Sequence, residues 1–173
     1  MSVSPRFANR ITRYAEVEPS TLAAHPQNWR RHPGSQAAAL AAVLADVGYV
    51  QSVVVNERSG RIVDGHLRVE LAIDRAEPFV PVTYVDLSDD EESLVLATFD
   101  PLGALASTDA ATLRDLLGSL VETDDAALST LLSDLASSVA ETVAPSEFPT
   151  VGPDLSTDYR CPSCGYEWSG RTS

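Results

Sequence analysis

The segment Asp64-Gly65-His66-Leu67-Arg68 combines the residue types best suited to binding an anion. It follows the apolar pair Ile62-Val63 and precedes a helical pattern, so we predict that it lies where a strand turns into a helix. Gly65 lets a ligand approach the backbone, and the first helical turn offers free N–H groups and the positive end of the dipole. Arg68 follows about one turn later with a planar guanidinium suited to phosphate. The spacing therefore predicts a phosphate site.

Two alternatives stay open for the same residues. In the structural one, Asp64 caps the helix, Gly65 eases the turn, and Arg68 pairs with Asp64. In the catalytic one, His66 or Asp64 acts as a general base in phosphoryl transfer or phosphodiester cleavage, and Asp64 holds Mg²⁺. Metal-dependent turnover would distinguish such an enzyme from a protein that only binds phosphate.

The elements that must position this segment follow an α+β pattern. Strands are predicted at 14–17, 53–55, 61–63 and 80–85, and helices at 35–47, 65–75 and 88–98. The third helix begins at the capping box of Ser88 and Glu91, and Asp100-Pro101 is expected to end it. Thr108 and Thr123 are the predicted caps of two acidic, leucine-rich helices at 109–120 and 124–139, whose apolar stripes suit a core or a dimer contact.

These elements suggest how the chain is organised. We predict a flexible arm at 1–13, a phosphate- or nucleotide-binding domain at 14–100, an acidic helical hairpin at 101–140, a linker at 141–158 and a small terminal knuckle at 159–173. No apolar run is long enough to span a membrane, and the N-terminus lacks the pattern of a signal peptide, so a cytoplasmic location without membrane contact is expected.

Charge is distributed unevenly along the chain. The net charge is −13, yet the first 35 residues carry an excess of arginine, whereas Arg114 is the single basic residue between Asp86 and Glu141. An acidic chain is a poor DNA-binding protein. We therefore expect weak, non-specific and salt-dependent DNA binding at most, through the N-terminal arm.

The order of these elements resembles the N-terminal domain of the ParB/sulfiredoxin superfamily over roughly residues 14–100, in particular the small ParB-like proteins of phages and mobile elements. Chromosome-partition ParB proteins hold a cytidine nucleotide with a Gly-x-x-Gln-Pro and a Gly-Glu-Arg-Arg segment. The similar segments here are Gly48-Tyr49-Val50-Gln51 and Gly65-His66-Leu67-Arg68. The Gly-His pair is also similar to the phosphate loops of sulfiredoxin and of a related free-serine kinase.

The resemblance implies a small mixed sheet with flanking helices and a nucleotide-phosphate cleft. The floor of this cleft would consist of Gln51, Gly65, His66 and Arg68, with Asn28, Arg30 and Arg31 as a second wall.

Three departures limit what the resemblance implies. The cysteine nucleophile of sulfiredoxin is missing from the loop, which excludes its redox repair reaction. The stretch 94–101 lacks the Glu-Asn-x-x-Arg segment of partition ParB proteins, and the acidic helices lack the side chains of a DNA-reading helix. We therefore expect a ParB-like accessory protein of phage or mobile-element DNA metabolism that binds a nucleotide or a nucleic-acid phosphate at the start of the Gly65 helix. An interaction module that dimerises or docks a DNA-processing partner, such as a terminase or methyltransferase, is a further alternative.

The terminal segment Cys161-Pro162-Ser163-Cys164-Gly165 has the spacing of one zinc knuckle, which supplies half of a tetrahedral site. Three outcomes stay open: a zinc site shared between two chains, a metal-free knuckle, or a redox dithiol. We favour the first two, because no thioredoxin-like strand and helix precede the motif. Tyr166 and Trp168 could alternatively contact a partner or a nucleobase.

Overall fold

A four-stranded sheet lies at the centre of the computed structural model, which describes residues 7–140 and 158–168. Its strands are β1 (Ile11–Val17), β2 (Val53–Asn56), β3 (Arg61–Asp64) and β4 (Val80–Val85), arranged in the order β1-β4-β2-β3. The neighbours β2 and β4 are parallel, whereas the pairs β1–β4 and β2–β3 are antiparallel. The predicted mixed sheet and α+β class are therefore confirmed.

The core forms because β-branched residues alternate along the two central strands. Val53 and Val55 on β2 face the same side as Val80 and Val82 on β4, and all four side chains are almost completely buried. Helix α2 (His66–Asp74) covers this face with Val69 and Ala72. The sheet and α2 thus form the rigid base from which the β3–α2 turn projects.

The remaining helices surround this base. They are α1 (Gly34–Asp46), α3 (Asp89–Ala104), α4 (Ala110–Gly118) and α5 (Ala126–Ser138). The predicted capping box of α3 is present: the Glu91 N–H donates to Ser88 Oγ, and the Ser88 N–H donates to the Glu91 carboxylate. Helix α5 packs mainly against α1 and only lightly against α4. Helix α5 therefore joins the domain through its packing on α1.

Several predicted boundaries are wrong. Strand β1 begins at Ile11, inside the segment expected to be a flexible arm, because it pairs with β4 and because Arg13 lies 3.4 Å above the Tyr84 ring. Helices α4 and α5 are capped by Asp109 and Asp125 rather than by Thr108 and Thr123. In both cases a carboxylate closer to the first turn accepts two backbone N–H groups.

Helix α3 also continues through Pro101, where we predicted its end. Proline removes one backbone donor and crowds the preceding turn, but the C-terminal turn still closes because Leu105 N–H donates to the Pro101 carbonyl at 3.2 Å. In addition, Asp100 is held by an ion pair with Arg30. The consequence is that Asp100 reaches the β3–α2 turn as part of a helix instead of a loop.

The terminal unit is a small two-stranded sheet of β5 (Tyr159–Arg160) and β6 (Glu167–Trp168). The turn between them closes when Gly165 N–H donates to the Cys161 carbonyl at 2.9 Å and Cys161 N–H donates to the Tyr166 carbonyl at 2.7 Å. Tyr159 and Tyr166 both stack on Trp168. The predicted linker lies almost wholly outside the described residues, as does the beginning of the arm.

No helix in the part of the chain that the structure describes is long and apolar enough to cross a membrane.

Candidate functional site

The turn from β3 into α2 is built around Gly65. Its φ of +91° lies in the left-handed region, and it occupies the N-cap position without any side-chain cap for the helix. A Cβ at this position would lie 2.7 Å from Arg68 Nη1 and 3.2 Å from Val53 Cα. The interpretation of Asp64 as the helix cap is therefore wrong, because Asp64 still belongs to β3 and the first N–H groups of α2 have no carboxylate over them.

A cavity of about 350 Å³ opens in front of this turn. Six of the predicted site residues line it, namely Arg30, Gln51, Asp64, Gly65, His66 and Arg68. Five further residues that we did not predict complete the lining, namely His32, Gln36, Leu40, Leu67 and Asp100. The cavity therefore joins the β3–α2 turn, the loop before α1, one face of α1 and the end of α3.

Arg68 is fixed across the floor of this cavity. Its Nη1 donates to the Ser52 carbonyl at 3.3 Å and to Asp64 Oδ2 at 3.4 Å, while Nη2 donates to Gln51 Oε1. These three contacts fix the guanidinium, and the side chain, which is 14% exposed, lines the cavity. Gln51 and Arg68, both predicted in the floor of the cleft, are thus in direct contact, and the ion pair of Arg68 with Asp64 from the structural alternative is also present.

Arg30 supplies the opposite cation. It contacts Asp64 Oδ1 at 3.5 Å through Nη1, and its Nε pairs with Asp100. Asn28, which we expected in the wall, does not line the cavity; its Oδ1 instead accepts the Arg30 N–H at 3.2 Å and so shapes the loop. Arg31 is exposed and lies outside the lining. Of the two adjacent arginines in this loop, only Arg30 therefore lines the cavity.

The ionised groups of the cavity are balanced. Arg30 and Arg68 face Asp64 and Asp100, so a multiply charged phosphate meets carboxylates as well as guanidinium groups. Asp100 is the more replaceable carboxylate, since its side chain is 46% exposed whereas that of Asp64 is 19% exposed. Phosphate binding therefore requires the phosphate to displace Asp100 from Arg30, or a divalent cation to bridge phosphate and carboxylates.

His66 is almost completely buried at the first position of α2. Its Nε2 accepts the backbone N–H of His25 at 3.2 Å, which places the proton of a neutral ring on Nδ1. Burial, followed by the positive charge of Arg30, lowers the pKa of His66 below its ordinary value. His66 lines the cavity, and Nδ1–H is the donor that its neutral ring carries. His66 thus adds a neutral hydrogen-bond donor to the cavity lining.

A buried polar cluster behind the cavity holds His25. Glu92 on α3 is 4% exposed and accepts hydrogen bonds from Asn56 Nδ2 at 3.1 Å and from Ser59 Oγ at 2.7 Å. His25 Nε2 lies 3.6 Å from the same carboxylate. The sequence pattern did not predict this cluster. The sequence pattern that could have indicated it is the spacing of Glu92 and Leu96, which lie one turn apart on the buried face of an otherwise exposed acidic helix.

The two predicted metal sites, one in the cavity and one in the terminal knuckle, offer different ligands. No cluster of three or more potential ligands occurs within residues 7–140 and 158–168. In the cavity, only the carboxylates of Asp64 and Asp100 are oxygen ligands of the kind Mg²⁺ prefers. In the terminal knuckle, the N–H groups of Cys164 and Ser163 point at the Cys161 thiol and lower its pKa, which favours the thiolate that metals bind.

Comparison with known proteins identifies the fold. No protein-family model and no curated protein sequence matches the chain. Among solved structures it is similar to the C-terminally truncated chromosome-partitioning protein ParB from Caulobacter crescentus complexed with CTP-gamma-S, with a TM-score of 0.52 and 19% identity, over 64% of each chain. A Pnob8-like ParB-N domain also matches, with a TM-score of 0.45 and 14% identity, over 76% of this chain and 65% of that one. The predicted ParB N-terminal-like fold is confirmed, and the matched region spans less than two thirds of either relative.

Proposed function

We propose that this chain, which has a ParB N-terminal-like fold, binds the phosphates of a nucleotide in the cavity in front of Gly65. The observation that carries the proposal is the convergence of two arginines, the His66 donor and the uncapped first turn of α2 on one open cavity. Each of these groups stabilises an anion, and together they match the several oxygens of a polyphosphate. The complex of Caulobacter ParB with CTP-gamma-S supports CTP as the first nucleotide to test.

The cavity holds two carboxylates as well as two guanidinium groups, so a phosphate must displace a carboxylate in order to bind. A phosphate oxygen replaces the Asp100 carboxylate at Arg30, while Arg68 is already aligned by Gln51 and Asp64. Mg²⁺ fits this arrangement, because Asp64 and Asp100 offer it oxygen ligands and it offsets their repulsion of the phosphates. Binding is therefore expected to strengthen when Mg²⁺ accompanies the nucleotide.

The direct test is a thermal-shift and calorimetric titration with CTP, ATP, GTP and UTP, with and without Mg²⁺. A ligand that binds only the folded protein raises its melting temperature. Arg68→Ala should abolish this shift while the apo protein stays folded. The exposed Arg31→Ala removes the same charge outside the cavity and should leave the shift unchanged. An equal loss in both variants would mean that only net charge matters, and an undiminished shift in Arg68→Ala would place the ligand elsewhere.

Binding has more support than catalysis at this site. The Nε2 lone pair of His66 is occupied by the His25 N–H, and Asp64 accepts from both arginines, so neither group is free to take a proton. The catalytic roles of His66 and Asp64 stay predictions from the sequence. They would gain support if the wild-type chain released phosphate from a nucleotide with Mg²⁺ and Asp64→Asn lost that activity while keeping nucleotide binding.

The wider role that we propose is that of a ParB-like accessory protein in phage or mobile-element DNA metabolism. Contact with DNA itself should be weak, since Arg10 and Arg13 of the N-terminal segment are already paired with Glu91 and Glu57. Replacing Arg6, Arg10 and Arg13 by Gln should remove most of the binding measured by fluorescence anisotropy at low salt. Sequence-selective binding that survives this change would contradict the proposal.

We also propose that Cys161 and Cys164 bind zinc only when two chains combine their knuckles. Two thiolates supply half of a tetrahedral site, and the backbone turn around them is already formed. Elemental analysis should give about one zinc per two chains, and chelation or Cys164→Ser should abolish zinc-dependent dimerisation in light scattering. One tightly held zinc per monomer would show that the other ligands come from the same chain.

A further inference from the structure

A groove of about 620 Å³ lies between α4, the loop that follows it, and α5. We call it the α4–α5 groove. Its apolar walls consist of Leu117, Leu120 and Val121 on one side and of Leu132 and Ala136 on α5. Among the described residues, none that lines the phosphate cavity also lines this groove. The groove is therefore a surface separate from the phosphate site.

The two helices that form the groove leave much of their apolar surface exposed. Both lie wholly within the described residues, and neither contains a buried residue. They pack only lightly on each other, and Leu120 is 46% exposed while Val121 is almost fully exposed. A helix as short as α4 is stabilised mainly by packing of its apolar face. The exposed apolar surface therefore fits a further apolar element.

Helix α5 presents different residues to α1 and to the groove. Ala127 and Leu131, four residues apart, line the space against α1. Leu132 and Ala136, also four residues apart, line the groove. Because residues at this spacing share one face of a helix, the groove runs along the side of α5 that does not pack on α1. An elongated apolar groove of this kind fits an amphipathic helix.

The charge around the groove determines which helix fits. Residues 105–140 contain Arg114 as their single basic residue, and its guanidinium donates to the Val139 carbonyl at 2.9 Å. The same segment contains six acidic residues, namely Asp109, Asp115, Glu122, Asp124, Asp125 and Asp134. A second copy of this surface would bring the same negative charge, and residues 141–158 of this chain contain four acidic residues and no basic one. Both are repelled, whereas a cationic helix is attracted.

We propose that the α4–α5 groove binds a cationic amphipathic helix of another protein. The apolar face of that helix lies against Leu120 and Leu132, and its lysine or arginine side chains lie near Glu122 and the neighbouring carboxylates. This proposal gives the acidic helices a binding role that does not depend on nucleotide binding at Gly65.

The test measures the binding of synthetic peptides to the full chain by fluorescence anisotropy at physiological ionic strength. The probe is a helical peptide with leucine on one face and lysine on the other. One control peptide has the same composition in a scrambled order, and a second has glutamate in place of lysine. Only the probe should bind saturably. Equal binding of the probe and the scrambled peptide, or no binding of the probe, would overturn the proposal.

Two leucine variants test the apolar contact. Leu120 lines the groove, whereas Leu116 is similarly exposed, at 57%, and lies outside the lining. Leu120→Ser should weaken the probe by about five-fold, because half of a leucine side chain loses its burial on binding. Leu116→Ser should leave the affinity unchanged. Both residues are exposed, so both variants are expected to fold normally. An equal effect of the two variants would contradict binding in the groove.

Two glutamate variants test the charge contact in the same assay. Glu122 lines the groove, and Glu70 is exposed on α2. Glu122→Gln should weaken the probe by about two-fold, whereas Glu70→Gln removes the same charge elsewhere and should have no effect. An equal loss would mean that only net charge matters and would overturn the proposal. Light scattering of the wild-type chain with a zinc chelator tests the other occupant: a dimer that Leu120→Ser abolishes would place a second copy in the groove and would also overturn it.

Discussion

Replacing Gly65 by alanine should both destabilise the protein and greatly weaken anion binding. The left-handed φ of +91° costs an alanine about 1–2 kcal/mol. The added Cβ would also lie 3.2 Å from the backbone Cα of Val53, a buried core residue that cannot easily move, and crowding of this kind costs about 1–3 kcal/mol. The expected loss of unfolding free energy is therefore about 2–5 kcal/mol.

Gly60→Ala is the matched control for this experiment. Gly60 also has a positive φ, of +68°, but a Cβ there would have no atom within 4 Å. Gly60→Ala therefore has the conformational cost of a positive φ but no crowding. Alanine also restricts the backbone of the unfolded chain, and this stabilises both variants to a similar extent. Urea unfolding should therefore show Gly65→Ala to be less stable than Gly60→Ala by about 1–3 kcal/mol.

Anion binding separates the two variants further. The Cβ of alanine at position 65 would lie 2.7 Å from Arg68 Nη1, so the guanidinium must leave its place on the cavity floor. Tripolyphosphate should consequently bind Gly60→Ala as it binds wild type, whereas Gly65→Ala should bind it much more weakly. Equal stability of the two variants, or full anion binding by Gly65→Ala, would refute the claim that this turn requires glycine for a close approach.

Two other predictions concern titratable groups of the cavity. Asp100→Asn should raise the affinity for tripolyphosphate in the absence of divalent cations by about 2–5-fold, because the exposed Arg30–Asp100 pair no longer competes with the ligand; a lower affinity in calorimetry would contradict the displacement step. The pKa of His66 is lower in the folded protein than its value of about 6.5 in the unfolded chain. The unfolded chain therefore takes up a proton first as the pH falls. The stabilisation that is present above pH 6.5, about the unfolded pKa, should be lost as the pH falls below it. Urea unfolding between pH 7.5 and 5.5 should show a smaller loss for His66→Asn than for wild type, and an equal loss would exclude His66 as the cause.

The sequence identified the parts of the site that are encoded locally. Gly65, His66 and Arg68 were recognisable because a glycine at a strand–helix turn has a characteristic spacing to the first helical turn. Arg30 and Gln51 were predicted as site residues only through the resemblance to ParB proteins. The β-branched run at 53–55 and the apolar segment at 80–85 likewise predicted the two central strands.

What the sequence did not reveal depends on contacts between distant elements. Asp100 reaches the cavity because α3 continues through Pro101, which a local rule about proline predicted would not happen. Gln36 and Leu40 line it because α1 packs beside the β3–α2 turn. Glu92 was unrecognised because its spacing from Leu96, one helical turn, does not by itself show which face of an acidic helix is buried.

The central claim is that phosphates bind at the start of α2, and an NMR titration tests it most directly. Tripolyphosphate and then CTP with Mg²⁺ would be added to ¹⁵N-labelled full-length protein, and the backbone amide shifts followed for each residue. The largest shifts should fall on the amides of Gly65, His66 and Leu67, with saturation at the affinity measured by calorimetry, and Arg68→Ala should abolish them. Saturable shifts confined to other parts of the chain, or no shifts at ligand concentrations that saturate binding, would contradict the account.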